Sequence, residues 1–329
     1  MEPKALIKPQ DLFYQLTPDF VLDAVEKCGW RTTGEYLQLN SYENRVYSLR
    51  TEDAAGTQII AKFYRPQRWS EAAIREEHAF LSELQTHGVS VVAPLKQKNG
   101  DTLSEHGGLW CALFPKARGR MPQEFSNDDL TRLGRVLARL HNVGAMGTTK
   151  HRPILDAEHM GRSALAVLRP KISPNLLDRY TDAAEGILDF LDQGMDPRRF
   201  QRIHGDCHRG NVLQTDEAGK APEYFLIDFD DFGLGPVAQD FWMLFRHDED
   251  DFADELDAFL SGYTELRDCE ERDLQLMEPL RGLRIIHYAA WIARRWTDPS
   301  FPQLFPQFGT DGYWFEEIQA LESILHRLN

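Results

Sequence analysis

The sequence has 329 residues, of which 42% are hydrophobic and 27% are charged, as in a globular protein with a substantial core. Its formal net charge of −15 disfavours a general nucleic-acid binder, because such a protein needs basic surface to neutralise phosphates. The chain has no CxxC pair, no apolar core for a signal peptide and no apolar run of membrane-spanning length, so we expect a cytoplasmic protein without a structural zinc site.

The first third of the chain alternates strand signals with turn signals. YLQLN (36–40), RVYSLR (45–50) and TQIIAKFY (57–64) are rich in the residues that favour strands. The loop SYEN separates the first two of these segments. The pattern therefore predicts three consecutive strands of a sheet.

A helix is predicted directly after these strands. RWSEAAIREEHAFLSELQTHG (68–88) has a helical period, with Ser70 as its N-cap and Gly88 as its stop. VSVVAPL (89–95) and LWCALFP (109–115) are then predicted to form two further strands. The apolar residues expected to share one face of the helix are Ile74, Phe80, Leu81 and Leu84.

The remainder of the chain is predicted to be mainly helical. In SNDDLTRLGRVLARLHNVG (126–144), apolar residues recur every three or four positions, and Ser126 with Asp129 resembles a capping box. PLRGLRIIHYAAWIARRW (279–296) is apolar on nearly every face. This composition predicts a buried helix, with Trp291 as a packing residue.

The change of texture after the fifth predicted strand indicates two domains. We expect a small unit of strands and one helix over residues 1–115, followed by a larger and mainly helical unit over residues 116–329. Strand-like stretches interrupt the larger unit at QRIHGDCHRGNVLQ and APEYFLIDFDDFG. The fold class predicted from this layout is α+β, with two lobes.

The segment HGDCHRGN (204–211) concentrates residues that carry chemistry. Its histidines and cysteine lie too close together to form a tetrahedral zinc site alone. It also resembles the GD and GN-His signatures of two-metal phosphatases, but Asn211 is followed by Val212 and no upstream Asp-x-His supplies the first ligands. Neither type of metal site therefore fits the sequence.

A phosphotransferase site fits the segment better, because four separate requirements are met in the expected order. Asp206 and Asn211 have the Asp-x₄-Asn spacing of kinase catalytic loops. The apolar run YFLI ends in aspartates about twenty residues later, and IIAKFY supplies Lys62 on the third predicted strand. The following helix offers Glu76 or Glu77 as an ion-pair partner for this lysine.

HGDCHRGN followed by IDFDDFGLGPVAQD resembles the aminoglycoside and choline phosphotransferase branch of the protein-kinase-like fold. More narrowly, LNSYENRVY, KFYRPQRW, EEHAF, GPVAQDFWML and YAAWIARRWTDPSFPQLFP resemble the bacterial stress response kinase A family. The resemblance extends from about residue 10 to about residue 320. It implies a bilobal fold with a nucleotide-binding lobe of mixed sheet and a larger catalytic and substrate lobe.

The resemblance also implies a cytoplasmic, Mg-ATP-dependent serine/threonine protein kinase that phosphorylates itself and acts in bacterial stress response. By position, Asp206 matches the proton acceptor, and Asn211 and Asp228 match the Mg²⁺ ligands. The partners implied are ATP and proteins with Ser or Thr hydroxyls. We expect a monomer that binds neither nucleic acid nor a membrane.

On the nucleotide side, the resemblance assigns three residues. Ser41 in SYEN matches a position at the ATP phosphates, Lys62 would hold the α- and β-phosphates, and Glu77 is preferred over Glu76 as the partner of Lys62. The chain lacks a G-x-G-x-x-G loop, so Ser41 and backbone amides would have to cover the phosphates. Asp231 begins a DFG triplet, but Asp228 ends the apolar run directly and is the preferred metal ligand.

Two other functions stay open at this level. A small-molecule kinase for an amino alcohol, a sugar or an aminoglycoside-like substrate could use the acidic run HDEDDFADELDAF (247–259) to hold a cationic acceptor. The alternative interpretation of this acidic run is a helix face exposed to solvent. A catalytically weak, nucleotide-binding regulator is the second alternative, although the complete set of catalytic residues disfavours it.

Three residues near the catalytic segment have expected supporting roles. His204 is expected to pack the loop, and Asp240 is expected to be a buried residue that braces it. Cys207 adjoins Asp206, which raises the hypothesis that its oxidation modulates activity.

Overall fold

The computed structural model describes residues 9–215, 221–245 and 251–328. The chain forms two compact units, and the stretch 212–228 belongs to the first although it comes late in the sequence. Unit 1 comprises residues 1–122 and 212–228, and unit 2 comprises residues 123–211 and 229–329. A functional boundary after residue 115 stays a prediction.

Unit 1 is built on a five-stranded antiparallel sheet with strand order β1-β2-β3-β5-β4. The three consecutive strands predicted from the sequence are β1, β2 and β3. Two short antiparallel pairs, β7-β8 in unit 1 and β6-β9 in unit 2, complete the strands of the described residues. The strands are β1 Thr32–Leu39, β2 Arg45–Thr51, β3 Gln58–Phe63, β4 Ser104–His106, β5 Leu109–Pro115, β6 Gln201–Ile203, β7 Val212–Gln214, β8 Tyr224–Leu226 and β9 Gly233–Gly235.

The prediction of a strand over residues 89–95 is wrong. Within that segment only Val91 forms a bridge, in parallel to Leu226, while β4 takes the edge position beside β5. Pro94 has no N–H to donate to a ladder, which explains why this apolar run does not pair along its length.

Two long helices begin where side chains cap them. In the first long helix, Ser70 Oγ accepts the backbone N–H of Ala73, and in the next Ser126 and Asp129 form both bonds of the predicted capping box. The helices are α1 Pro18–Lys27, α2 Glu71–Thr86, α3 Asn127–Gly144, α4 Ser163–Leu168, α5 Pro174–Gly194, α6 Phe252–Tyr263, α7 Glu271–Gln275, α8 Met277–Arg294, α9 Ser300–Leu304 and α10 Asp311–Leu328. Three-residue 3-10 turns occupy Arg209–Asn211 and Phe229–Asp231.

The core of unit 1 lies on both faces of the sheet. Helix α1 packs its buried residues against one face, in a cluster with apolar side chains of β2, β3 and β5. A second cluster joins Ile74 of α2 to Tyr64, Leu103 and Ala112. All four apolar residues predicted to share a face of α2 are buried, which confirms the periodicity argument.

Unit 2 contains a close crossing of α3 and α6. A Cβ atom at Gly262 would lie 1.8 Å from the carbonyl oxygen of Thr131, so only glycine allows this approach. Helix α8 packs against α4, α5 and α10. Much of this helix is buried, as predicted, but Tyr288 is 39% exposed and Arg284 and Trp291 are half-buried.

Among the described residues, no helix combines the length and the apolar character that crossing a membrane requires.

Candidate active site

Ser41 lies in a tight loop whose backbone is held by one arginine. Ser41 Oγ accepts the backbone N–H of Asn44 at 3.3 Å. Arg65, just after β3, donates from Nη2 to the Tyr42 carbonyl oxygen and from Nε to the Glu43 carbonyl oxygen, both at 2.9 Å. The loop therefore has a defined shape without glycines. Arg65 was not identified from the sequence, although it lies in the KFYRPQRW motif.

Lys62 is the centre of a buried charge cluster in unit 1. Its Nζ lies 3.3 Å from Glu77 Oε1 and 3.5 Å from Asp228 Oδ1, and 4.8 Å from the ring centroid of Tyr64. Lys62 and Glu77 are almost completely buried, whereas the Asp228 side chain is half-exposed. The structure thus contains the expected ion pair with Glu77, and it brings Lys62, Glu77 and Asp228 together.

Local structure explains why these three side chains meet. Lys62 lies on the central strand β3, paired with Val46 on one side and Ala112 on the other. Glu77 lies on the buried face of α2, where an ionised carboxylate requires a partner. Asp228 follows β8 with a φ of +60°, a conformation that costs energy for a residue with a Cβ and that is found mainly at functional sites.

The loop of unit 2 that carries Asp206 turns at Gly205. This residue has a φ of +84°, and a Cβ atom there would lie 2.3 Å from the carbonyl oxygen of Asp231. The backbone N–H of Asp206 donates to His204 Nδ1 at 3.3 Å. His204 is fully buried with its ring centroid 4.4 Å from that of Phe229, as expected of a packing residue.

Asp240 braces this loop from a fully buried position, as predicted. Its carboxylate accepts the backbone N–H groups of His204 and Gly205, both at 2.8 Å. Its Oδ2 also lies 3.0 Å from His141 Nε2. Burial lowers the pKa of His141, so the neutral ring donates from Nε2 to the carboxylate and accepts at Nδ1 from the hydroxyl of Tyr263.

Asp206 has a cationic neighbour that the sequence did not reveal. Arg284 Nη1 of α8 lies 2.8 Å from Asp206 Oδ1, while His208 Nε2 lies 3.6 Å from Oδ2. The approach of Arg284 is close but not aligned as a hydrogen bond. Oδ1 is covered from solvent and accepts no hydrogen bond from the described residues. Arg284 is 78 positions away in the sequence, which is why no local pattern could indicate it.

Asn211 is positioned by the same loop. Its Nδ2 donates to the carbonyl oxygen of Asp206 at 2.9 Å, which leaves its Oδ1 for another partner such as a cation. An amide oxygen and a carboxylate oxygen are the hard donors that Mg²⁺ prefers. Asn211 in unit 2 and Asp228 in unit 1 thus have the donor chemistry that Mg²⁺ requires.

The hypothesis that oxidation of Cys207 modulates activity is not supported. Cys207 is completely buried, and burial raises the pKa of its thiol well above the usual range. A buried neutral thiol is a poor nucleophile toward oxidants. Its role in the structure is that of a small apolar side chain beneath the loop.

Asp231 belongs to a turn whose backbone carbonyl groups accept hydrogen bonds from an arginine side chain. The buried Arg152 donates to the carbonyl oxygens of Asp230 and Phe232, and its guanidinium lies 4.6 Å from the ring centroid of Phe232. The DFG triplet is therefore a fixed turn within unit 2, whereas Asp228 belongs to unit 1.

The acidic run is only partly described. Residues 247–250 lie outside the described residues, and the rest of the run enters α6. There Glu255 is buried with its carboxylate 3.3 Å from Arg209 Nη2, while Asp254 and Asp257 are exposed. A solvated helix face accounts for Asp254 and Asp257 but not for the buried Glu255.

The sequence is similar to curated kinases over most of its length. The phosphotransferase enzyme family matches residues 35–280. Stress response kinase A of Escherichia coli (strain K12) is 34% identical over 314 residues, which cover 93% of this chain and 91% of that protein. The serine/threonine protein kinase RdoA of Salmonella typhimurium is 36% identical over 315 residues, which cover 92% and 90%.

Solved structures of similar fold are more distant in sequence. The amicoumacin kinase hAmiN in complex with AMP-PNP, Ca²⁺ and Ami superposes with a TM-score of 0.74 at 18% identity, over 97% of this chain and 99% of that chain. A microcompartment-associated aminopropanol kinase gives a TM-score of 0.72 at 20% identity, over 94% and 95%. These likenesses confirm the predicted fold class.

Proposed function

The chain belongs to the phosphotransferase enzyme family and is a kinase, and we propose that it transfers the γ-phosphoryl group of Mg-ATP to Ser and Thr hydroxyls of proteins, including its own. The names of the curated relatives, at 34 to 36% identity, support a protein substrate and a role in stress response. A cytoplasmic location and a monomeric state stay predictions.

The observation that carries the proposal of ATP-dependent transfer is the buried Lys62–Glu77 pair with Asp228 beside it. A lysine held by a helix glutamate and a neighbouring aspartate is the arrangement by which kinases hold nucleotide phosphates and their metal. The buried Glu77 carboxylate fixes the position of the Lys62 ammonium group before the nucleotide binds. Less conformational entropy of the lysine side chain is therefore lost when ATP binds.

Each residue then has one task. Lys62 neutralises charge on the α- and β-phosphates, and Ser41 donates its hydroxyl to a phosphate while its oxygen accepts the N–H of Asn44. Asn211 and Asp228 would hold Mg²⁺, which supplies positive charge to the β- and γ-phosphates.

Asp206 acts on the acceptor. Its carboxylate orients the incoming hydroxyl and takes the proton late, since the transition state of phosphoryl transfer is loose and needs little base assistance. The backbone of its loop is held by Asp240, so the carboxylate is already positioned before the acceptor binds.

The test is a labelled-ATP assay with Mg²⁺ on the wild type and on Asp206→Asn. We expect acid-stable phosphoserine or phosphothreonine on the wild-type polypeptide and at least about a hundredfold less on the variant. A matched Asp268→Asn variant, at an exposed position of unit 2, should retain wild-type labelling. Absence of label on polypeptide, with ATP consumption stimulated by an amino alcohol or sugar, would instead assign the protein to the small-molecule kinases.

A further inference from the structure

One face of α8 leads directly away from Asp206. Arg284, Tyr288 and Trp291 are spaced by four and three residues, so they follow one another along a single stripe of the helix. Arg284, at one end of the stripe, is the residue that approaches Asp206 Oδ1 at 2.8 Å. All of these residues belong to unit 2. The stripe therefore begins at the proposed proton acceptor and continues along the surface of the same unit.

The far part of the stripe is an accessible aromatic surface. Tyr288 stacks on Trp291 with ring centroids 5.3 Å apart and an interplanar angle of 21°. Phe305, just after α9, meets the Tyr288 and Trp291 rings edge-on at 6.2 and 5.9 Å. The fully buried Phe301 supports Trp291 from below at 5.0 Å. We call Tyr288, Trp291 and Phe305 the aromatic ledge.

Two guanidinium groups lie along this surface. The Arg284 guanidinium lies 6.0 Å from the ring centroid of Tyr288, and that of Arg295 lies 5.4 Å from a ring centroid of Trp291. A guanidinium has five N–H donors, so the contact of Arg284 with one carboxylate oxygen leaves donors for a second anion. A carboxylate that reaches the remaining donors of Arg284 would gain a charge-assisted hydrogen bond.

We propose that Arg284 and the aromatic ledge bind the polypeptide around the phosphoacceptor hydroxyl and select a segment with an acidic residue next to the Ser or Thr and an apolar residue farther along. The distances suit an extended chain. Four helical residues from Arg284 to Tyr288 rise by about 6 Å, which equals about two residues of an extended peptide. The apolar residue is thus expected about two positions beyond the acidic residue, which is about three positions from the acceptor. This inference rests on the proposed protein-kinase function.

The experiment uses the full chain, labelled ATP and short peptides that carry a single serine. The peptides vary the neighbouring residue between Asp, Ala and Lys, and the third residue on either side between Leu and Gly. We expect the wild type to prefer Asp with Leu. Arg284→Gln should lose the preference for Asp over Lys and raise the KM for the Asp peptide about tenfold, whereas Arg284→Lys should retain the preference.

Tyr288→Ala tests the ledge separately. It should remove the preference for Leu over Gly while leaving the preference for Asp over Lys intact. The matched controls are Arg198→Gln and Phe315→Ala, an exposed arginine and an exposed aromatic residue that lie outside the stripe. Both controls should keep the KM of each peptide within about twofold of the wild type, as surface substitutions away from a binding site do.

The outcomes separate the two proposals. If peptides are phosphorylated without a preference for Asp, or if the preference survives Arg284→Gln, the acceptor surface is wrong while the kinase function stands. If wild-type protein phosphorylates no peptide and instead phosphorylates an amino alcohol, both proposals are wrong. Thermal unfolding of each variant identifies a change in KM that is caused by misfolding. If Arg284→Gln is unstable, the peptide preference of Arg284→Lys decides whether the positive charge selects Asp.

Discussion

The candidate residues are held in different ways in the two units. In unit 1, Lys62, Glu77 and Asp228 are positioned by attraction between their own charged side chains. In unit 2, the loop that carries Asp206 is positioned through its backbone, because the buried Asp240 carboxylate accepts two consecutive N–H groups of the loop. A substitution in the Lys62–Glu77–Asp228 cluster should therefore alter both the local charge and the free energy of unfolding. A substitution of Asp240 should instead displace the loop that carries Asp206.

The comparison is tested most strongly by two aspartates close in sequence, Asp228 of unit 1 and Asp231 of unit 2. Asp228→Asn removes a proposed metal ligand and a partner of Lys62, so we expect kcat to fall about a thousandfold, equivalent to several kcal/mol of charge stabilisation. Asp231→Asn should lower kcat much less, because its turn is held by Arg152 through backbone carbonyls. Steady-state kinetics with varied Mg²⁺ measures both, and equal losses would contradict the assignment of Asp228.

Glu77→Gln is the next largest expected change, and it acts on stability. It removes the carboxylate charge that lies 3.3 Å from the buried Lys62 ammonium, and losing one partner of a buried pair costs about 3 kcal/mol. Urea unfolding should show this loss together with a raised KM for ATP. Glu76→Gln, one position along the same helix, should cost less than half as much. Equal costs would mean that the buried pair does not organise unit 1.

Asp240→Asn is expected to have the smallest effect of the three, and mainly on the loop. An amide offers one acceptor oxygen where the carboxylate serves three donors, so we expect a loss of about 2 kcal/mol and a fall in kcat. Hydrogen exchange should become faster at the backbone amides of His204 and Gly205. Unchanged exchange would show that the carboxylate does not hold the loop.

The sequence predicted those parts of the site that depend on local pattern. Glu77 shares the buried face of α2 with Ile74 and Leu81, so its pairing could be expected from helical periodicity and from the cost of an unpaired buried charge. The Asp206-x₄-Asn211 spacing lies within one loop and was likewise visible. The strand expected over 89–95 was wrong because β-propensity does not decide which segment pairs with β5.

Residues that act across long sequence separations could not be predicted. Arg284 meets Asp206, His141 meets Asp240 and Arg152 meets the 230–232 turn, and each contact depends on how helices pack in unit 2. An arginine or histidine in an amphipathic helix carries no local sign of its partner. The same limit explains why the helix over 279–296 was expected to be buried, although one stripe of α8 is partly accessible.

The sequence by itself determined the fold class, the family and the catalytic loop motif, because strand and helix periodicities and short catalytic spacings are properties of contiguous residues. Only the tertiary structure decided which charges surround Asp206 and which face of α8 stays open to solvent. Those features depend on packing between segments far apart in the chain, where burial and electrostatic pairing, not local propensity, select the partner.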